Sequence, residues 1–433
     1  MTTSEMFKNF IENIAVDNAA QISLRYEEIT ATLNKKFRDT ESKTANSLQV
    51  GSYGRWTAIK GVSDLDMLYI MPSSKWPDYK DGKQSKLLTD TKDAIKEKYP
   101  RTDVFVDRLV VRVLYKDFHI EVQPVFELED QSFYYPDSYN GGKWKITKPR
   151  EEISELASAN KKKNRNLRRL CKMARAWKNK HGVGMGGLLI DTLAYNFLNS
   201  TTEYDDKSYS YYDWMSRDFF EYLSVLPDQE YFAAVGSKQR VKVKKKFQKK
   251  AKKAHELCIN AIDAEGTAGE NDKWKKVFGR PFPAKPTTAY EASLAKSLQT
   301  WDDSEQFIED KYPVDIKYNV QIDCEVSQAG FLTHKLRTMI FRHMPLLANK
   351  KLLFTIIDID VPEPYSIEWK VLNRGPEAQR RNCIRGQIVP DRGNNQLKES
   401  TDFKGEHIVE CYVIKNNVVV AKDRIDVPIQ TNK

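Results

Sequence analysis

The hydrophobic period of this 433-residue chain changes three times along its length, and that change restricts the fold more than any other feature. Apolar residues spaced three and four apart line one face of a helix, whereas strict alternation lines one face of a strand. Between residues 5 and 44, Phe7, Phe10, Ile11 and Ile14, then Ile22, Leu24, Ile29 and Leu33, keep helical spacing and predict one or two amphipathic helices. Strands are predicted at LDMLYIM from Leu65, VFVDRLVVRVLY from Val104 and DFHIEVQPVF from Asp117. In the last of these, Phe118, Ile120 and Val122 alternate with Asp117, His119, Glu121 and Gln123, so the polar set shares one sheet face. The reading is a mixed α/β sheet with helices around it.

From Ser154 to about Ile262 the period is helical. Leu167, Leu170, Cys171, Ala174 and Trp177 form one apolar stripe, with Arg165, Arg168, Arg169, Lys172 and Arg175 beside it. GVGMGG interrupts before LLIDTLAYNFL opens another helix, and residues 264–288, rich in Gly, Pro and charge, read as a linker. Beyond Asp315 the period is two, in IKYNVQIDCEV, KLLFTIIDIDV, SIEWKVLN and HIVECYVIKNNVVVAKDRIDV, with Asn416 and Asn417 as a hairpin turn. This predicts an antiparallel β-sandwich. The expected division is an α/β core over 1–150 including the N-terminal helices, a helical lobe over 151–300 that completes a cleft, and a β-rich domain over 301–433.

With 40% apolar and 30% charged residues, no stretch approaches the roughly 18 consecutive apolar residues of a membrane span. The start, MTTSEMFKNFIENIAVDNAA, has no apolar block followed by a small-residue cleavage site, and a cytoplasmic location is expected. The five cysteines form no CxxC pair, and His255 with Cys258 has no second pair to complete a zinc site. Net charge is +10, and the run from Lys238 to Lys253 alone carries ten Lys or Arg and no acid. A second run, Lys161 to Lys180, also has ten cations and no acid. Such clusters attract polyanions. The Lys238 to Lys253 run is expected to steer substrate or regulate, outside the chemistry.

Gly51 and Ser52 follow a short predicted strand, SLQV, and Asp64 and Asp66 open the next one. Residues i and i+2 of a strand face the same way, so two carboxylates repel each other unless cations sit between them. Glu121 on an alternating strand supplies a third carboxylate. Three oxygen ligands suit Mg2+, which bridges substrate phosphates. In a two-ion site, one ion activates an attacking hydroxyl and the other neutralises a triphosphate. The GSYG turn would offer backbone N–H groups and the Ser52 hydroxyl to those phosphates.

The order GS, eleven residues, DxD, then apolar-Glu-apolar resembles the nucleotidyltransferase pattern of the DNA polymerase β superfamily. GSYGRWTAIKGVSDLDMLYIMP, IEVQPVF, YYPDSYNGGKWKITKPREEI and NLRRLCKMARAWKNKHGVGMGGLLIDTLAYNFL together resemble the cGAS/DncV-like nucleotidyltransferases over about residues 1–300. The tail, with EWKVLNRG, CIRGQI and HIVECYVIKNN, resembles the C-terminal AGS-C/SMODS-type sensor domain fused to some of them. The resemblance implies a polymerase β-like core and synthesis of a cyclic di- or trinucleotide messenger from nucleoside triphosphates, ATP or GTP, in bacterial CBASS anti-phage signalling. A downstream effector would recognise the product.

It makes Asp64, Asp66 and Glu121 the ligands of two Mg2+ ions, with Mn2+ as an alternative, and places Gly51, Ser52, Arg55 and Lys172 at the substrate. Where the family has serine followed by a stacking aromatic, this chain has Gly187 and Leu188, which leaves Tyr195, Tyr209, Tyr211 and Tyr212 as candidates for the base. The zinc insertion of the metazoan enzyme is missing. Two alternatives stay open: a templateless or oligoadenylate synthetase-like enzyme with linear product, and a non-catalytic nucleic-acid-binding protein using the lysine run. In the tail, Arg374, Arg385 and Arg392 are candidate contacts for a phosphate-bearing ligand.

Overall fold

The computed structural model describes residues 2–62, 64–284, 306, 308–312, 314–328, 331–373, 386–402 and 405–430. Arg374 and Arg385 therefore lie outside the described residues. Two compact units divide the chain, Met1–Lys43 with Ser47–Thr287, and Thr44–Asn46 with Thr288–Lys433.

The first unit opens with α1 (Thr3–Asn13), whose N-terminus closes in a capping box: Thr2 Oγ1 accepts from Glu5 N at 3.3 Å, and Glu5 Oε2 accepts from Thr2 N at 2.7 Å. Such a cap stabilises a helix end by about 1 kcal/mol. Helix α2 (Ala19–Arg38) follows, then β1 (Ser47–Gln49), the one-turn helix α3 (Gly51–Gly54) and β2 (Asp64–Ile70). After α4 (Trp76–Tyr79) and α5 (Gln84–Lys98) come β3 (Asp103–Asp107), β4 (Val110–Leu114), β5 (His119–Glu127), β6 (Phe133–Asp137) and β7 (Lys143–Thr147).

The order across this seven-stranded sheet is β1-β2-β5-β4-β3, with β6 pairing β5 and β7 pairing β6. Only β2 and β5 run parallel; every other pair is antiparallel. One face buries Leu65, Met67, Val111, Val113, Ile120 and Val122 under α2 and α5. The opposite face carries His119, Glu121 and Gln123 of the predicted polar set, whereas Asp117 lies in the bend before β5.

The single strand expected from Val104 is a hairpin instead. Arg108, at φ 47°, turns the chain, and its Nε and Nη2 donate to the two carboxylate oxygens of buried Asp137 at 2.8 and 2.9 Å. Arginine carries no turn signal of its own; a carboxylate 29 residues away holds the turn.

The helical layer consists of α6 (Pro149–Lys162), α7 (Asn166–His181), α8 (Gly187–Asn199) and α9 (Tyr212–Val225), a small hairpin of β8 (Tyr231–Ala233) and β9 (Arg240–Lys242), then α10 (Gln248–Ile262) and α11 (Glu270–Phe278). Helix α1 inserts Met6, Phe7 and Phe10 into its core beside Trp177, Phe220 and Trp274. The expected stripe of α7 is buried, but Arg168 and Arg175, placed beside it from the sequence, are buried as well. The lysine run is no single helical face either, since it contributes β9, a connecting segment and the start of α10.

The second unit holds α12 (Ile308–Lys311) and α13 (Leu336–Phe341) around two sheets of mainly antiparallel strands. β10 (Val320–Gln328), β11 (Phe331–Lys335), β13 (Lys351–Ile359) and β16 (Gln396–Ser400) form one, in the order β11-β10-β13-β16. β12 (Leu346–Leu347), β14 (Ser366–Asn373), β15 (Ile388–Pro390), β17 (Gly405–Lys415) and β18 (Val418–Gln430) form the other, in the order β12-β18-β17-β14-β15. Ile322, Cys324 and Phe354 of the first meet Trp369, Cys411 and Ile425 of the second in one core, which is a sandwich. Asn416 and Asn417 both take positive φ, 53° and 59°, and close the β17–β18 hairpin. Among the described residues, no helix is long and apolar enough to cross a membrane.

Candidate active site

Antiparallel pairing of β1 with β2 carries the chain from Gln49, opposite Met67, into the GSYG turn. Val50 N donates to the Asp66 carbonyl at 3.0 Å, so the turn begins beside Asp66. Gly51 sits at φ 63°, a conformation that side chains disfavour. A Cβ on Gly54 would lie 2.1 Å from the Gln49 carbonyl oxygen, so the second glycine is also demanded by space. Ser52 O accepts from Thr57 N and Ala58 N at 2.9 and 3.0 Å, which folds the following residues back under the turn.

Parallel pairing of β2 with β5 sets Asp66 directly opposite Glu121 and Asp64 opposite His119. The three carboxylates thus share one sheet face at the ends of adjoining strands. Burial, then repulsion from Glu121 and Asp64, pushes the Asp66 carboxyl up to about 6. That is the electrostatic signature of a site short of positive charge.

Arg112 of β4 is in register with Glu121, and its Nη2 lies 2.8 Å from Glu121 Oε1. His119 Nε2 lies 3.4 Å from the same oxygen. Among the described residues, no three His, Cys, Asp or Glu side chains converge closely enough to hold one ion as they stand. The donor chemistry nonetheless fits a hard divalent cation, with three carboxylates in register and Asp66 starved of charge. Ligation by Glu121 would draw it away from Arg112.

Arg55, grouped from the sequence with the substrate contacts, is engaged in the core, although its charge is still felt by Asp66. It is buried, with Nε donating to Asp191 Oδ2 at 2.9 Å and Nη1 to Glu152 Oε2 at 3.4 Å. Two carboxylates of the helical layer thus hold its guanidinium in place. Lys172 lies on α7, half-buried. A second lysine of α7, Lys178, also feels the carboxylate site: burial, then Arg175, lowers its ammonium below the usual range, while Asp64 opposes that effect and Lys244 adds to it.

Lys244 belongs to the lysine run, and the stem of Lys245 lies within 2.8 Å of a Cβ built on Gly184. Part of the run therefore lies close to α7, near enough for Lys244 to couple to Lys178. Sequence reasoning missed Lys178 because it stands among ten like charges, and only the packing of α7 distinguishes it.

Three of the four candidate tyrosines cluster before and at the start of α9, with the Tyr209 and Tyr212 rings 5.0 Å apart, while Tyr195 lies on α8. Tyr212 is fully buried, and its OH donates to Asn166 Oδ1 at 2.7 Å. Tyr195 OH donates to Glu155 at 2.6 Å. Tyr209 and Tyr211 lie on a short helical turn packed against α1, under Arg169 and Lys207 respectively.

A turn of GS type leading to carboxylates on a parallel strand pair, faced by a helical layer, defines a nucleotidyltransferase. Residues 1–160 match the Second Messenger Oligonucleotide or Dinucleotide Synthetase domain, and residues 302–430 match the Adenylyl/Guanylyl and SMODS C-terminal sensor domain. The chain thus carries a synthetase domain of the kind that makes oligonucleotide or dinucleotide second messengers, together with a C-terminal sensor domain.

Among solved structures it is similar to CdnC of E. coli MS115-1 in complex with HORMA-deltaN, at 15% identity over 64% of this chain and 98% of that chain, with a TM-score of 0.51. It is also similar to the Vibrio cholerae DncV cyclic AMP-GMP synthase in complex with nonhydrolyzable GTP, at 14% identity, covering 55% and 69% of the two chains, TM-score 0.47. The Rhodothermus marinus CdnE c-UMP-AMP synthase with Apcpp and Upnpp gives 14% identity, 61% and 97% coverage and a TM-score of 0.43. At these identities the first likeness speaks for the fold of the core. No curated protein matches the sequence.

Proposed function

We propose that the chain joins nucleoside triphosphates into a cyclic di- or trinucleotide with release of pyrophosphate, as a messenger in bacterial antiviral signalling. Asp66 in register with Glu121, beside Gly51, is the observation that carries the chemistry. Asp64, Asp66 and Glu121 would hold two Mg2+ or Mn2+ ions, which when bound lower the pKa of the attacking hydroxyl and neutralise the leaving pyrophosphate. The GSYG turn presents Ser52 and its backbone N–H groups to the triphosphate. Lys178, with Lys172 on the same helix, supplies positive charge for the donor phosphates. A ribose hydroxyl of one nucleotide then attacks the α-phosphate of another, and a further round closes the ring.

The other lysines of the run attract polyanions toward this face, the substrates included. The linear-product reading shares every one of these residues, so product analysis separates the two. A purely binding role fits poorly, since a trio of carboxylates repels a phosphate backbone. The sensor domain is read as the module through which a ligand or partner regulates synthesis. Incubation with four labelled triphosphates and Mg2+, then chromatography after phosphatase or nuclease digestion, tests the reading. A product whose migration phosphatase leaves unchanged and nuclease alters supports a ring; a product whose terminal phosphates phosphatase removes, with a shift in migration, means a linear oligonucleotide.

A further inference from the structure

The buried ionic group behind the GSYG turn has no part in the chemistry so far, yet it touches two of the residues that close the turn, Arg55 and Thr57. Asp191 of α8 is fully buried. Its Oδ2 accepts from Arg55 Nε at 2.9 Å, from Thr57 Oγ1 at 3.0 Å and from Arg175 Nη2 at 2.9 Å, and its Oδ1 accepts from Arg175 Nη1 at 2.6 Å. Arg55 N in turn donates to Gly51 O at 3.2 Å, and Thr57 N to Ser52 O at 2.9 Å. Arg55 also reaches Glu152 of α6, which accepts from Ser237 Oγ at 3.1 Å beside the β8–β9 hairpin. Two arginines and two carboxylates make the group neutral.

Burial of such a group is a poor route to stability, because apolar residues of the same volume commonly do as well or better. What it does confer is one fixed geometry. Burial pushes the Asp191 carboxyl up, but Arg175 and Arg55 outweigh it and hold it below the ordinary carboxylate range, so the pairing persists at neutral pH.

We propose that Asp191 is a positioning residue: by gripping Arg55 and Thr57 it fixes the Gly51–Gly54 turn against the helical layer and so sets affinity for the triphosphate of the substrate. The proposal rests on the reading of that turn as the triphosphate cradle. Asp191 touches no substrate atom itself. A cradle displaced by about 1 Å loses its aim at the phosphate oxygens, whereas contacts to the base and ribose do not depend on it.

The test uses the full chain and two probes, a nonhydrolysable nucleoside triphosphate and the corresponding monophosphate, with binding followed by calorimetry. Asp191→Asn keeps the shape and removes the charge. It should weaken triphosphate binding about 10-fold, leave the monophosphate within about 2-fold, and raise KM while kcat stays within about 3-fold. Thr57→Val, which deletes one bond of the group, should move triphosphate affinity the same way by about 3-fold, and it decides the matter if the Asn variant does not fold.

Leu223→Ala, in the same helical core but outside the group, should lower the thermal midpoint without a selective loss of triphosphate binding. A folded Asp191→Asn or Thr57→Val variant with wild-type triphosphate affinity overturns the proposal. So does Leu223→Ala producing the same selective loss. Ser52→Ala separates the two readings. If it weakens triphosphate binding and Asp191→Asn does not, only the positioning role falls; if it has no effect, the turn is not the cradle and the proposal falls with it.

Discussion

A methyl group on Gly51 would lie 1.7 Å from Asp66 Oδ2. The turn and the carboxylate are therefore one structural unit, with the side chain of Asp66 lying where any Cβ at position 51 would have to be. Gly51→Ala should abolish product formation, by about 100-fold or more, because Asp66 must swing away from its place opposite Glu121. The strained φ adds a loss of about 1–2 kcal/mol in stability. Chromatographic product assays with a denaturant melt check both; an active, fully stable alanine variant would falsify the close approach.

Asp64→Asn, Asp66→Asn and Glu121→Gln should each lose activity while keeping the fold. Removing one of three mutually repelling carboxylates relieves strain, so the thermal midpoint without added metal should hold or rise. Mn2+ should raise the midpoint of the wild type and fail to raise that of Asp66→Asn. Retention of the Mn2+ response in that variant would place the ion elsewhere.

A divalent cation held by Glu121 would compete with Arg112 for Glu121 Oε1, which lies 2.8 Å from Arg112 Nη2. Arg112→Met should therefore lower the Mn2+ concentration that gives half the thermal shift, by roughly 3- to 10-fold for a half-exposed charge pair. An increase instead would mean that the guanidinium preorganises Glu121 for the ion.

The lysine run divides by position. Lys244→Gln, close enough to couple to Lys178, should raise KM for nucleotide about 3- to 10-fold at low salt, with less effect at high salt. The triple change of Lys249, Lys252 and Lys253 to Gln, on the exposed start of α10, should leave basal synthesis within about 3-fold and flatten the salt dependence of any polyanion binding. Equal effects of the two variants on KM would argue that the run acts as one diffuse field.

Asp213 at the start of α9 gives a pH dependence away from the site. Burial, partly opposed by the Trp214 backbone N–H and reinforced by Glu265, pushes its carboxyl up to about 6 from an ordinary 3.8. The folded state then holds the proton more tightly than the unfolded chain does. Stability from this group is full below about pH 4 and is lost as pH rises through about 6, at most about 3 kcal/mol. Asp213→Asn should flatten urea-unfolding stability across that window and stabilise the protein at pH 8. A wild-type slope retained in the variant would assign the titration to another group.

The alternation around Glu121, the DxD at a strand start and the GS turn were legible in the sequence because each depends on local chemistry: strand period, glycine conformation and like-charge repulsion within a few residues. So were the helical stripe of α7, the Asn416–Asn417 hairpin and the shift to a β-sandwich. What the tertiary structure decided were the pairings over long separations. Asp66 meets Glu121 only because β2 and β5 run parallel, Arg108 turns the chain only because Asp137 holds it, and Lys178 differs from nine other cations only because α7 packs where it does.

Arg55 shows the reason most plainly. Adjacent to the GSYG turn it reads as a phosphate contact, but Asp191, 136 residues away, takes its charge into the core. A sequence states which residues carry charge and which faces are apolar. Which charge meets which depends on desolvation and on partners brought together by packing, and those exist only in the folded chain.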